Sequence, residues 1–154
     1  MSTLKAAKTI WDLLDGKVSN LKLQKLLYLA HMFELAKGNG PLAGREFEAW
    51  DYGPVEPDLY HKLKAYGGGA VPDIFYSEPY VEGTSELDSI RQVVNQVGRA
   101  SPARLVAITH WNGGAWSKNY VPDARRIRIP DEDIIEEYKA IAARNAQKRG
   151  TAAA

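Results

Sequence analysis

Apolar residues recur with helical spacing along most of the chain, between short polar or glycine-rich interruptions. In the first segment Ala6, Ile10 and Leu13 fall on one helical face, and Gly16 then ends the pattern. Later segments begin with residues that favour the first turn of a helix, because they cap it or fit its backbone. The pattern predicts about six helices; after the first, their start signals are Ser19, Pro57, Ser85, Ser101 with Pro102, and Asp131.

The second of these helices is apolar around most of its circumference. Its main stripe consists of Leu23, Leu26, Leu27, Ala30 and Phe33, with further apolar residues on either side. So broad an apolar surface indicates a helix buried at the centre of the domain. Gln24, Tyr28 and His31 form a narrow polar strip on the same helix.

Two short segments alternate apolar and charged residues, which is the pattern of a strand. In residues 45–50, Phe47 and Ala49 alternate with glutamates, and in residues 126–130 two isoleucines alternate with arginines. We expect the two segments to pair. The chain is therefore predicted to be mainly α (α+β): a compact helical domain with a small β element.

The composition is that of an ordinary globular protein. The chain has 154 residues, 45% of them hydrophobic and 25% charged. We expect a single domain over residues 1–148 and a frayed tail over residues 149–154. The net charge of +1 gives no bulk attraction to nucleic acid or to an anionic membrane. No stretch approaches the roughly 18 apolar residues that span a bilayer, so we expect a soluble, cytoplasmic protein.

Residues that could support catalysis or cofactor binding are present, but no pattern organises them. Cysteine is absent, which excludes disulfides and thiolate chemistry. His31, His61 and His110 lack metal-ligand spacing, and histidines hydrogen-bonded at the edge of the core are the simpler explanation. There is no GxSxG, P-loop or GxGxxG motif, and residues 67–69 are more simply a glycine turn. We expect no catalytic, metal or cofactor site.

Basic residues occur in two short runs that could contact phosphates. One is Arg125, Arg126 and Arg128, and the other is Arg144, Lys148 and Arg149. Nearby acidic residues offset both runs, and no recognition-helix signature accompanies them. A solvated surface is the simpler explanation, so direct nucleic-acid binding is not the expected main activity.

Aromatic residues are concentrated in two glycine-containing segments, where they either fill the core or anchor a partner. They are Trp50, Tyr52, Tyr60, Trp111, Trp116 and Tyr120. On residue chemistry alone, core packing is favoured over partner binding.

Three blocks of the sequence resemble a known family. LKLQKLLYLAH (21–31), EAWDYGPVEPDLYHKLKAYG (48–67) and LVAITHWNGGAWSKNY (105–120) look like the signature of the Panacea domain, the SocA-like, phage-associated antitoxin family. One position departs from it, since Ala115 precedes Trp116 where the family commonly has proline. The motif positions, which are also the possible partner-binding residues, are Gln24, Lys25, Tyr28, His31, Trp50, Tyr52, Gly53, Pro54, Val55, Thr109, His110 and Trp116.

The resemblance implies a mostly helical fold and a non-enzymatic antitoxin that binds and neutralises a cognate protein toxin encoded beside it. It also implies a proteolytic adaptor activity for some members, which deliver the toxin to the ClpXP protease. Two alternatives stay open. The protein could be a DNA-binding transcriptional regulator of its own operon, or an enzyme built on the three histidines.

The second block suggests a local structure. Gly53 permits backbone angles barred to other residues and Pro54 disfavours helix at Gly53, so we predict a sharp turn from strand to helix. Trp50 and Tyr52 are expected to pack around this turn, against Gln24, Tyr28 and His31. The motif would then be mainly architectural, with toxin-facing residues around it.

The last four residues, TAAA, follow a basic QKRG stretch. An exposed tail of small residues could be read by a ClpX-type unfoldase, although an inert terminus is the simpler explanation.

Overall fold

The computed structural model describes residues 3–153, which form seven α-helices and one two-stranded antiparallel sheet. This confirms the prediction of a mainly α fold with a small β element. The helices are α1 (Thr3–Leu13), α2 (Asn20–Ala36), α3 (Pro57–Leu63), α4 (Thr84–Val97), α5 (Pro102–Thr109), α6 (Ala115–Asn119) and α7 (Asp131–Ala153). The strands are β1 (Glu48–Trp50) and β2 (Gly53–Val55), and a short 3₁₀ turn, Lys64–Tyr66, follows α3.

Helix α2 lies at the centre of the domain, as its apolar circumference predicts. It packs against α1, α3, α4, α5, α7 and β2. Leu23, Leu26 and Leu27 are fully buried, and each contributes about 1.5–3 kcal/mol relative to an exposed side chain. The predicted cap is confirmed, because the Ser19 hydroxyl accepts a hydrogen bond from the Lys22 amide at 3.3 Å.

The two strands form a hairpin whose turn is only two residues long. Glu48 pairs with Val55 and Trp50 with Gly53, so Asp51 and Tyr52 make the turn. The predicted strand-to-helix turn at Gly53–Pro54 is wrong, because residues 53–55 are the second strand. A three-residue strand that contains proline has too little alternation to be recognised from sequence.

Proline is tolerated in β2 because of the register. Pro54 stands opposite Ala49, whose N–H donates to Ile127 O at 2.8 Å, on the far side of β1. The Ala49–Pro54 pair is therefore a non-hydrogen-bonded pair of the ladder, where no strand N–H is needed from Pro54.

The predicted pairing between residues 45–50 and 126–130 is confirmed, as an isolated antiparallel bridge rather than a full strand. The bridge joins Glu48 to Arg128. Besides the Ala49 bond, Ile129 N donates to Phe47 O at 2.8 Å. Residues 127–129 therefore lie alongside the outer edge of β1 as a third extended segment.

Two helices differ from the sequence prediction. Helix α6 is absent from the six predicted helices; Gly114 is its N-cap, and five residues are too few to show a helical period. Helix α7 continues to Ala153, beyond the predicted end of the helix, and Ala154 lies outside the described residues. Among the described residues, no helix has the length and apolar character needed to cross a membrane.

Candidate functional site

The hairpin, residues 48–55, is where most of the motif residues meet. Five of them, Trp50, Tyr52, Gly53, Pro54 and Val55, belong to the hairpin itself. Five more approach it from α2, from the end of α5 and from α6: Gln24, Lys25, Thr109, His110 and Trp116. Tyr28 and His31 contact other partners.

Helix α2 holds the end of the hairpin through the side chain of Gln24. The amide of Gln24 donates to Glu56 O at 2.9 Å and accepts from Glu56 N at 2.8 Å. The backbone N–H and the carbonyl of Glu56 are thus both hydrogen-bonded by one buried side chain, as buried polar groups require. This two-point contact fixes the passage from β2 into α3.

Lys25 anchors the middle of β2. Its ammonium group donates to Pro54 O at 2.9 Å, and the side chain is buried. Burial lowers the pKa of Lys25 to about 7, because a charged amine is poorly solvated there.

The approach of Lys25 requires a glycine in β2. Gly53 has a φ of +112°, and a β-carbon at this position would lie 3.1 Å from Lys25 Nζ and 3.4 Å from Thr109 Oγ1. Thr109 itself donates to Leu105 O at 2.9 Å, one turn back in α5. Gly53 is therefore needed both for its backbone angle and for the space it leaves.

The opposite side of the hairpin is held by the third motif block. Trp116 Nε1 donates to Trp50 O at 2.6 Å. His110 Nε2 lies 3.1 Å from Asp51 O, which can only accept, so this nitrogen carries the proton. The Trp116 ring is stacked between His110, 3.5 Å away by ring centroids, and Tyr120, at 4.6 Å.

The Tyr120 hydroxyl completes this side by donating to the Asp51 carboxylate. That hydrogen bond is the main cause of the raised pKa of Tyr120. The strand residues before and after the turn are consequently held from opposite sides, Trp50 by Trp116 and Pro54 by Lys25.

The expectation that Trp50 and Tyr52 pack against Gln24, Tyr28 and His31 is wrong. Helix α2 meets the backbone of β2 instead, through the contacts of Gln24 and Lys25. Trp50 is half-buried, with its ring edge-on to Tyr60 at 4.6 Å and its Nε1 donating to Glu48 at 3.0 Å. Tyr52, in the two-residue turn, is 70% exposed.

Tyr28 and His31 connect α2 to α7 rather than to the hairpin. Tyr28 donates to the Glu137 carboxylate, and His31 Nε2 lies 3.0 Å from Asp131 Oδ1. His31 Nδ1 accepts from the amides of residues 42 and 43, at 3.2 and 3.1 Å. The proton is therefore on Nε2, which donates to Asp131. Both rings also pack against Phe47, which precedes the hairpin.

Glu137 is a structural residue that the sequence analysis missed. Its carboxylate is buried and also accepts from Trp111 Nε1 at 2.6 Å, so it joins α2, α7 and the segment after α5. Burial raises the pKa of Glu137, although the hydrogen bonds from Tyr28 and Trp111 oppose the shift. A signal was available, because Glu137 follows Ile134 by three residues and so lies on the apolar face of α7.

Glu56 was also missed. It caps α3, with Oε2 accepting from Leu59 N at 2.7 Å. Oε1 is buried without a hydrogen-bond partner in the described part of the chain, and burial is the main cause of the raised pKa of Glu56.

The three histidines are separate in the fold. His31 is buried, His110 lies at the hairpin, and His61 is exposed on α3, edge-on to Tyr60. Within residues 3–153, no group of three or more histidine, aspartate or glutamate side chains is placed to hold a metal ion.

The arrangement favours recognition by contact. The hairpin backbone is held on both sides, and the turn presents one exposed aromatic side chain, Tyr52. Val121, which follows Tyr120 in sequence, is also 51% exposed. A rigidly supported aromatic residue can bury a large apolar area at low entropic cost.

Comparison with known proteins identifies the family. The model of the family "Antitoxin SocA-like, Panacea domain" matches residues 23–117. The chain is 35% identical over 113 residues to Antitoxin SocA from Caulobacter vibrioides (strain NA1000 / CB15N). That alignment covers 67% of this chain and 60% of the relative, so the chain spans about three-fifths of the relative's length. No solved structure matches the chain. The family match covers more than half of the chain, and the protein therefore belongs to the SocA-like antitoxin family with a Panacea domain.

Proposed function

We propose that this protein is an antitoxin that neutralises a cognate protein toxin by direct binding, with the tip of the hairpin as the central contact. The observation that carries the proposal is that Tyr52 is exposed in the turn of a hairpin whose backbone is held by Lys25 and Trp116. Family membership supports the antitoxin role, since the curated relative is named as an antitoxin.

The size of the protein is adequate for such a contact. A specific protein–protein interface buries about 800 Å² on each partner. The accessible surface here is 8361 Å², so the interface would occupy about a tenth of it. Tyr52 and Val121 supply exposed apolar area for the centre of such an interface.

The hairpin framework has an architectural role in this proposal. Gln24, Lys25 and Trp116 hold the backbone and are buried, so they would position the turn without contacting the toxin. Trp50→Ala is expected to lower both the melting temperature and toxin binding, because Trp50 packs on Tyr60. Loss of binding with an unchanged melting temperature would instead make Trp50 a contact residue.

Co-expression with the product of the neighbouring gene tests the proposal. We expect the neighbour to arrest growth, this protein to restore it, and the two to co-purify as a complex. A harmless neighbour, or rescue without any complex, would contradict neutralisation by binding.

We further propose that the complex is delivered to ClpXP, as the family resemblance implies for some members. Repeating the rescue in cells that lack ClpXP separates delivery from simple blocking. If delivery is required, rescue is lost in these cells while the complex still forms. Unchanged rescue would mean that binding alone neutralises the toxin.

A further inference from the structure

The segment that follows α6 is attached to the hairpin at both ends. At one end, Tyr120 donates to the Asp51 carboxylate in the turn. At the other end, Ile127 O accepts from Ala49 N in β1 at 2.8 Å. Residues 121–126 therefore form a loop that is anchored at the turn of the hairpin and at β1.

This loop holds its conformation at an energetic cost. Asp123 and Arg126 have φ values of +62° and +59°, in the left-handed region that residues other than glycine rarely adopt. Such angles persist only where the surroundings determine them, and they concentrate at functional sites. Here the attachments at Tyr120 and Ile127 provide that determination.

Three arginines of the loop and the adjoining bridge project into solvent. Arg125, Arg126 and Arg128, which we name the arginine segment, are all exposed. Arg128 lies 4.0 Å from Glu46, and the two residues line an open cavity of about 510 Å³ together with Arg45. The side chains of Arg125 and Arg126 have no ion pair or hydrogen bond within residues 3–153.

The chemistry of this surface suits a carboxylate-rich protein partner. Guanidinium groups bind carboxylates through paired hydrogen bonds, and arginine is enriched beside aromatic residues at protein interfaces. Glu46 lies 4.0 Å from Arg128, Asp123 precedes Arg125 by two residues, and the whole chain has a net charge of only +1. This low net charge gives no bulk attraction to the long run of phosphates of a nucleic acid, whereas a compact acidic patch on a protein needs only a local group of arginines.

The segment also lies outside residues 23–117, which match the family model. The framework that supports Tyr52 lies almost entirely inside the match. The arginine segment is therefore an element beside the shared framework, where a determinant of partner choice would be expected.

We infer that the arginine segment is the second part of the partner interface and binds a carboxylate-rich patch on the toxin, beside the site that receives Tyr52. This inference rests on the proposed function, and it assigns the partner a chemical character: an apolar depression flanked by acidic side chains. The arginines would steer association and select among toxins.

Charge reversal at the segment tests the inference. The probe is the toxin candidate encoded by the neighbouring gene, and the variant is R125E/R126E. Lys148 and Arg149 are exposed near the end of α7, so K148E/R149E is a control with the same change in charge. We expect R125E/R126E to slow association by about tenfold or more at low salt and to flatten its salt dependence, while the control behaves as the wild type.

The possible failures can be told apart. Absence of toxin binding by the wild type would overturn the proposed function itself. Wild-type kinetics in R125E/R126E, with binding intact, would overturn only the role of the arginines. Melting temperatures check the fold of each variant, and R125Q/R126Q, which removes charge without reversing it, should give an intermediate rate.

A random-sequence DNA duplex and a single-stranded RNA serve as further probes. We expect neither to bind. If the wild type binds one of them and R125E/R126E does not, while toxin binding is the same in both, the segment is a phosphate-binding surface and the inference is wrong.

Discussion

Replacing Gln24 with leucine should destabilise the protein strongly although the volume and helical propensity of the side chain change little. The amide of Gln24 makes hydrogen bonds of 2.9 and 2.8 Å to the carbonyl and the N–H of Glu56. Leucine leaves both backbone groups buried without a partner, at about 1–3 kcal/mol each. The expected loss is about 2–6 kcal/mol, a large share of the roughly 5–15 kcal/mol that stabilises a typical domain.

Urea unfolding measures this loss directly. With a slope of about 2 kcal/mol per M, the midpoint of Gln24→Leu should fall by about 1–3 M. Gln92→Leu is the matched control, because Gln92 is an exposed residue of α4. The control should shift the free energy of unfolding by no more than about 0.5 kcal/mol.

The result that would refute this reasoning is a Gln24→Leu midpoint within about 0.3 M of the wild type, which is the scale of a surface substitution. The Glu56 backbone would then be satisfied without Gln24, and α2 would not fix the exit from the hairpin.

Three further predictions follow from the contacts of the hairpin and of α7. Gly53→Ala should destabilise the fold by about 1–3 kcal/mol, because φ is +112° and the new β-carbon would lie 3.1 Å from Lys25 Nζ. Gly68→Ala is the control and should be nearly neutral, because a β-carbon there would meet no atom within 4 Å. Equal melting temperatures for the two variants would contradict the role of Gly53. Glu137 has a raised pKa, so the folded state keeps the proton of this carboxyl above the ordinary pKa of 4.5. The stability of the wild type relative to Glu137→Gln should therefore fall as the pH rises from 4.5 through the raised pKa. A difference in urea unfolding that does not change with pH would contradict the raised pKa. The pKa of Lys25 is lowered from 10.5 to about 7, so the unfolded state binds more protons than the folded state between these pH values. The stability of the wild type relative to Lys25→Met should therefore rise by up to several kcal/mol from pH 7 to pH 10.5. A stability difference that does not change over this range would contradict the lowered pKa.

The helical framework could be predicted because its signals are local and long. Helix α2 shows an apolar surface over many residues, and the Ser19 cap lies at its start. The bridge at residue 128 could be predicted because alternation on both segments gave matching faces. Strand β2 and helix α6 could not, since three and five residues are shorter than a recognisable period.

The site depended on contacts that sequence spacing does not encode. The bond between Tyr28 and Glu137 joins residues 109 positions apart, so α2 alone could not indicate its partner. The motif gave the residues that meet at the hairpin, but not which of the two aromatics would face outwards. The two-residue turn decides this, by exposing Tyr52 while Trp50 rests on Tyr60.

The affinity of the toxin for Tyr52→Ala, measured beside Tyr76→Ala, tests the central claim most directly. Both tyrosines are exposed, by 70% and 80%, so neither substitution should change the melting temperature appreciably. We predict that Tyr52→Ala weakens toxin binding by about 30-fold or more, as loss of a central anchor does, while Tyr76→Ala binds like the wild type. Equal affinities for the two variants would contradict the account, because the toxin would then be bound without the tip of the hairpin.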